Sequence, residues 1–189
     1  LKGLEKLNLV INEGKIIDAS FIEVPKQRNS RVDNATIKDG KTPESFENKP
    51  FKKAQKDVDA NWTKKNNVSY FGYKNHRKID SKSKFITKYE VTPASVHDSQ
   101  TLDNLLDEKD KGQKIYADSA YRGAKQEATI ESKEMINEVC EKGYKNNPLT
   151  DIQIANNREK SRVRSRVEHI FGFMEGSMNG MYLYAIGKK

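Results

Sequence analysis

Sulfur and imidazole are scarce in this chain: its 189 residues include one cysteine, Cys140, and three histidines, His76, His97 and His169. A single cysteine excludes an internal disulfide and a zinc site built from cysteines, and no Cys-x-x-Cys pair accompanies the histidines to make a mixed structural zinc site. Long apolar runs are missing as well. Nothing approaches the roughly 18 residues of a membrane-spanning helix, and no signal peptide opens the chain, so a cytoplasmic protein with no membrane partner is the default expectation. Proline is sparse, and three of its five residues, Pro25, Pro43 and Pro50, fall in one stretch. Hydrophobic residues make up only 34%, so a substantial part of the chain should be solvated loop. The first residue is Leu1 rather than methionine, which reads as a fragment lacking an N-terminal part.

Charge is what the chain has in quantity. Lys and Arg number 35 against 27 Asp and Glu, a net charge of +8, with an isoelectric point near 9.3. A basic surplus favours nucleic acid or another polyanion as partner. The length suits one domain with a usable core, or a domain with a large excursion.

The order of elements follows from periodicity. Residues 1–12 read as the end of a helix running into an extended segment. Lys15 to Val24 is an apolar, β-branched strand with Asp18 in its middle. A carboxylate there needs a hydrogen bond, a cation or a metal unless the strand lies at a solvated edge. From Pro25 to about Asn67 the pattern dissolves into a polar stretch with Phe46, Phe51 and Trp62 among its lysines; nucleic-acid contact and a flexible insertion both fit it. Val68–Asp80 and Lys84–Thr92 read as a hairpin whose first strand is basic, with Lys74 and Arg77 on opposite parities. That strand is either a DNA-facing element or a charge-protected edge. A helix from Asp98 to about Glu108, capped by Asp98 or Ser99, precedes a strand over Lys114–Tyr121 that contains Asp118. A polar helix over Ala124–Ser132, a short strand over Met135–Cys140 and a last helix from Thr150 to about Gly176 complete the order. Strand, excursion, hairpin and alternating helices and strands make an α/β domain with a mixed sheet.

The last helix carries an apolar stripe, Val163, Val167, Ile170, Phe171 and Met174, with Arg164 and Glu168 four apart beside it and Arg158, Arg162, Arg166 and His169 on the other flank. Asp18, Asp118 and Glu168 thus occupy two strands and a covering helix, where carboxylates can converge. Such a cluster repels itself unless divalent cations neutralise it, and hard oxygen ligands suit Mg²⁺ or Mn²⁺.

The phrases GKIIDAS (residues 14–20), WTKKNNVSYFGYKNH (62–76), VTPASVHDSQ (91–100), YADSAYRG (116–123) and RVRSRVEHIFGFM (162–174) resemble, in order and over nearly the whole chain, the catalytic region of bacterial DDE transposases of the insertion-sequence-5 group. The resemblance implies a ribonuclease-H-like fold: a mixed sheet with flanking helices, with the long polar insertion after the first strand. It implies an N-terminal region ending over residues 1–14, a catalytic domain over 15–176 with its insertion over 25–67, and a tail over 177–189 that is itself cut short. Asp18, Asp118 and Glu168 are then the catalytic triad holding two Mg²⁺ or Mn²⁺ ions. Arg164 matches the signature arginine four before the glutamate, to contact a phosphate or to hold Glu168, unless it forms only a surface ion pair.

Arg162, Arg166, Lys74, Arg77, Tyr121 and Arg122 are expected along the path of the DNA, and Arg162 and Arg166 could equally be a solvated face. Ser161 and Glu175 stand where the signature has Tyr and Lys, both of which handle DNA. The implied reaction cuts transposon ends and transfers the resulting 3′-hydroxyl to target DNA, with double-stranded DNA as partner and a homodimer as the active form. Two alternatives stay open: a nuclease of the same fold that cuts without joining, and a truncated remnant that only binds DNA.

Overall fold

Strand structure begins where the β-branched run begins. In the computed structural model, which describes residues 2–187, β1 spans Lys15–Glu23 and its side chains alternate between the two faces of a sheet. Ile16 joins one apolar cluster and its neighbour Ile17 another. Helix α1 (Lys2–Lys6) precedes β1. After it come α2 (Arg31–Lys38), α3 (Glu44–Glu47), α4 (Pro50–Ala54), β2 (Asn61–Lys65), β3 (Val68–Asp80) and β4 (Ile86–Pro93). Then follow α5 (Leu102–Leu105), β5 (Lys114–Tyr116), α6 (Ala124–Ser132), β6 (Ile136–Asn137), α7 (Asp151–Arg164) and α8 (Val167–Gly176). The strands form one six-stranded mixed sheet in the order β2-β3-β1-β5-β6, with β4 also paired to β3. Pairs β1–β5 and β5–β6 are parallel and β2–β3 is antiparallel. This is the α/β architecture with a mixed sheet and flanking helices that the sequence leads one to expect. No helix among the described residues is long and apolar enough to cross a membrane.

The chain divides into two compact units, each built from separated segments. Among the described residues, unit 1 takes 2–19, 76–90 and 97–173, and unit 2 takes 20–75, 91–96 and 174–187. In unit 1, Ile17, Leu102, Leu105, Ile115 and Ile130 form the core on one face. On the other, Val167 packs with Ile16 and Ile79, and Val163, Ile170 and Phe171 lie against them. The apolar stripe read from the last helix therefore does face the sheet, except Met174, which belongs to unit 2. In unit 2, Ile22, Val24, Ala60, Phe71 and Tyr73 make the core. Asp57 is buried there and accepts from the Tyr73 hydroxyl and the amides of Asp59, Ala60 and Gly187. Residues 181–183 add to the far end of β1, with Glu23 N donating to Met181 O and Leu183 N to Glu23 O.

Several expected elements are revised. The polar excursion is not loop throughout: it holds α2, α3, α4 and β2. Helix α2 starts at a capping box in which the Ser30 side chain takes the Asp33 amide and Asp33 returns to the Ser30 amide. Phe46 is fully buried, with the Lys52 ammonium 4.7 Å from its ring centre, so it is a packing residue rather than a platform for bases. Asn66 and Asn67, at φ 49° and 63°, turn β2 into β3, a two-residue hairpin of the kind that needs positive φ at both positions.

The expected helix over residues 98–108 is a 3₁₀ turn, Asp98–Thr101, followed by the single turn of α5. The strand over 114–121 ends at Tyr116 and that over 135–140 shrinks to β6. The last helix begins at Thr150 as expected, through a capping box with Gln153, but breaks at Ser165–Arg166. There the Ser165 hydroxyl bonds back to Arg162 O, and Arg166 N and Glu168 N take carbonyls three residues back, a tightened turn.

Candidate active site

Parallel pairing of β1 and β5 brings two carboxylates together. Lys15 lies opposite Ile115 and Ile16 opposite Tyr116; Asp18 and Asp118 each come two residues after the last of these pairs, close enough for the Asp118 charge to act on Asp18. Asp18 shares the face of Ile16, toward the last two helices. Its Oδ1 accepts from Ala19 N at 2.8 Å and its Oδ2 from Arg164 Nη1 at 2.8 Å. Burial pushes the Asp18 carboxyl above its ordinary range; the Ala19 amide and the Arg164 charge oppose this, and the Asp118 charge adds to it. Asp118 follows the end of β5 and caps the 3₁₀ turn Ser119–Tyr121, its Oδ1 accepting from Ala120 N at 2.8 Å.

Glu168 is not gathered with them. It is exposed at the second position of α8, and no group of three or more His, Cys, Asp and Glu side chains among the described residues is arranged to hold a metal ion. Arg164 ends α7 and pairs with Asp18, neither with Glu168 nor as an i,i+4 surface pair. The helix break between Arg164 and Glu168 takes them out of the simple helical relationship that the spacing predicts.

Tyr121 and Arg77, expected along the DNA path, are each only 1% exposed. Tyr121 supports the site from beneath: its hydroxyl is buried without a hydrogen-bond partner. Burial and the charges of Asp98, Asp18 and Asp118 push that hydroxyl well above its ordinary pKa. Arg77 lies under the Phe171 ring at 5.2 Å, its Nη atoms have no partner, and burial lowers it to about 10. The basic strand is therefore no exposed edge in unit 1, where Lys78 is buried against Asp107 and Asp110. Arg122 pairs with Glu127 at 3.0 Å, and Arg166 Nη1 donates to Ser81 O at 2.8 Å. Arg162 is 81% exposed, 3.9 Å from Glu159. Lys74, in unit 2, donates to Val96 O at 2.8 Å and stands 5.5 Å from the Phe21 ring centre, which itself stacks on Tyr70.

A further acid lies near the site. The sequence leads one to expect Asp98 or Ser99 as a helix cap, but that task falls to His97, whose Nδ1 accepts from Ser99 N at 3.3 Å. The turn that Asp98 opens packs against Ser119–Tyr121, close enough for its charge to act on Tyr121. The signal available was the His-Asp-Ser order, since histidine can accept from an amide two residues on.

The donor set suits a hard divalent cation. Two carboxylates, one on β1 and one just past the end of β5, repel one another in a partly buried setting, and the buried Tyr121 hydroxyl, on which both charges act, lacks a partner. A cation of the Mg²⁺ or Mn²⁺ kind would relieve the repulsion, and such ions take carboxylate oxygens and water readily. Asp18 and Asp118 are the residues that could hold it.

Comparison with known proteins gives the lineage. The family model described as Transposase DDE domain matches residues 12–186. The transposase for insertion sequence element IS1106 of Neisseria meningitidis serogroup B is 33% identical over 160 residues, covering 83% of this chain and 52% of that protein. The chain thus spans about half the length of this curated relative. No solved structure matches it significantly. With Asp18 on β1 facing Asp118 just beyond the end of the parallel strand β5, and the family match running over nearly the whole length, the chain belongs to the DDE-domain transposases.

Proposed function

We propose that this chain supplies the catalytic part of a DNA transposase, cleaving phosphodiesters at transposon ends and transferring the freed 3′-hydroxyl to target DNA. The observation that supports this reading is the parallel pairing of β1 with β5, which brings Asp18 and Asp118 near enough for the charge of one to act on the other. Asp18 and Asp118 would hold two divalent ions, Mg²⁺ or Mn²⁺, with Glu168 joining them. Bound ions of this kind polarise the attacking oxygen and neutralise charge on the leaving one. The chain's own part is to hold acids and substrate in place. Asp118 is oriented by the Ala120 amide and Asp18 by the Ala19 amide and, in the DNA-free chain, by Arg164, while Arg162, Arg166, Arg122 and Lys74 are the cations offered to the DNA backbone. Water attacks first, breaking the P–O3′ bond and leaving a 3′-hydroxyl; that hydroxyl then attacks a target phosphodiester and displaces its 3′ oxygen. Two ends to cut imply a homodimer of the whole protein, working on double-stranded DNA in the cytoplasm.

The exposure of Glu168, apart from the two aspartates, favours one second reading: a chain that binds DNA without cutting it. Cleavage of labelled duplex in Mg²⁺ or Mn²⁺ separates the two. The parent is expected to cut, and Asp18→Ala, Asp118→Ala and Glu168→Ala to fall to background while still binding. A parent that binds and never cuts supports the second reading, and cutting by Asp18→Ala at the parental rate removes the proposed site. Strand-transfer products distinguish a transposase from a nuclease that only cuts.

A further inference from the structure

Both oxygens of Asp18 have a donor, and one of those donors is a cation placed to leave. Oδ1 takes the adjoining amide of Ala19, a fixture of the backbone, whereas Oδ2 takes Arg164 Nη1 at 2.8 Å. Arg164 is the last residue of α7, immediately before the Ser165–Arg166 break. Its side chain is 27% exposed against 15% for Asp18, and its Nε is buried with no hydrogen-bond partner. The guanidinium thus uses only part of its donor fork on the carboxylate. A long side chain at a helix end can swing without moving the backbone, and a phosphate offers the two-pronged acceptor that its fork matches. A guanidinium and a divalent cation, by contrast, repel each other when they share one carboxylate oxygen.

Resting on the metal-dependent reading above, we propose that Arg164 is an exchangeable counter-ion: without DNA it holds Asp18 Oδ2, and on DNA binding it passes to a backbone phosphate and leaves that oxygen to a divalent cation. The pairing keeps two neighbouring acids tolerable while the site is unused. DNA and cation are thereby coupled, each raising affinity for the other by the same factor. Arg164 is in this account a positioning residue, acting through Asp18.

The test is Mn²⁺ binding by the whole chain, followed by electron paramagnetic resonance of the free ion, with and without a short duplex. It compares the parent with Arg164→Gln and Arg164→Lys. Without DNA, Arg164→Gln is expected to bind Mn²⁺ about 5–150-fold more tightly than the parent, the usual span of such couplings. Duplex should tighten Mn²⁺ binding by the parent within the same span and by Arg164→Gln hardly at all, with Arg164→Lys between the two. A merely structural arginine predicts that Arg164→Gln binds Mn²⁺ no better or worse, and either result with a folded Arg164→Lys giving the same answer overturns the exchange. Equal Mn²⁺ affinity in every protein, with and without duplex, removes the exchange but leaves the metal reading standing. If no form binds Mn²⁺ under any condition, the metal reading falls and the exchange with it.

Discussion

Asp18 holds a carboxylate whose burial outweighs the two donors placed on it, so its folded pKa lies above that of the unfolded chain. Below about pH 4 both states are protonated and the group makes no difference. As pH rises through the unfolded value and then the folded one, the native state keeps a proton the unfolded state has released, and stability falls. Asp18→Asn keeps an acceptor for Arg164 and removes the charge. It is therefore expected to raise the urea midpoint at pH 7, with the gain shrinking to nothing as the pH approaches 4. A midpoint at pH 7 no higher than the parent's would mean that burial is not the dominant cause.

The identity of such residues was more legible than their partners. An acid inside an apolar strand is conspicuous in a sequence, and so are Asp118 and the Arg164–Glu168 spacing. Spacing sees only neighbours along one helix, so it could not reveal that Arg164 reaches across to β1. Nor does it show which cations are buried. Arg77 and Tyr121 look like surface residues by type, and only packing removes them from solvent, Arg77 against the Phe171 ring and Tyr121 within the Ile17, Leu102 and Ile115 cluster.

Among the elements, β3 depends on a single glycine. Gly72 has φ +147°, and a Cβ there would stand 2.2 Å from the carbonyl oxygen of Ile22, a backbone atom that cannot turn aside. Gly72→Ala is expected to cost at least about 1–3 kcal/mol, read as a lower urea midpoint. A loss below about 0.5 kcal/mol, the size of an ordinary surface change, would mean that the strand relaxes freely.

The long strands and the capped start of α7 were readable because β-branched runs and capping boxes are local signals. Helix α2 had such a signal in Ser30 and Asp33, overlooked within a stretch rich in lysine and asparagine. The β2–β3 turn likewise had its Asn66-Asn67 pair. The break in the last helix had no comparable mark: it follows from Ser165 bonding back to Arg162 O and from Arg166 reaching Ser81 O, a contact made by tertiary structure.

For the whole molecule the surplus of eight positive charges predicts DNA affinity that falls with salt in proportion to the phosphates engaged. Arg162→Gln should weaken binding alike on all sequences and lower the salt slope by about 1, while Arg77→Met, at a buried position, should leave the slope unchanged. Equal slopes for parent and Arg162→Gln in titrations over a range of salt would remove Arg162 from the interface. The class of fold was readable at this scale from the order of strands and helices. The division into two units was not, because neither unit is a continuous stretch of sequence.

The pairing of Glu23 with residues 181–183, and of Asp57 with the amide of Gly187, has a consequence for biosynthesis. Contacts so distant along the chain form late, and the ribosome releases Glu23 long before Tyr182 exists. Unit 2 must therefore wait, its first strand open at one side, until nearly all of unit 1 has been translated. During that interval an unpaired β edge is exposed to other nascent chains, and residues 181–183, translated well after β1, are the ones that close it.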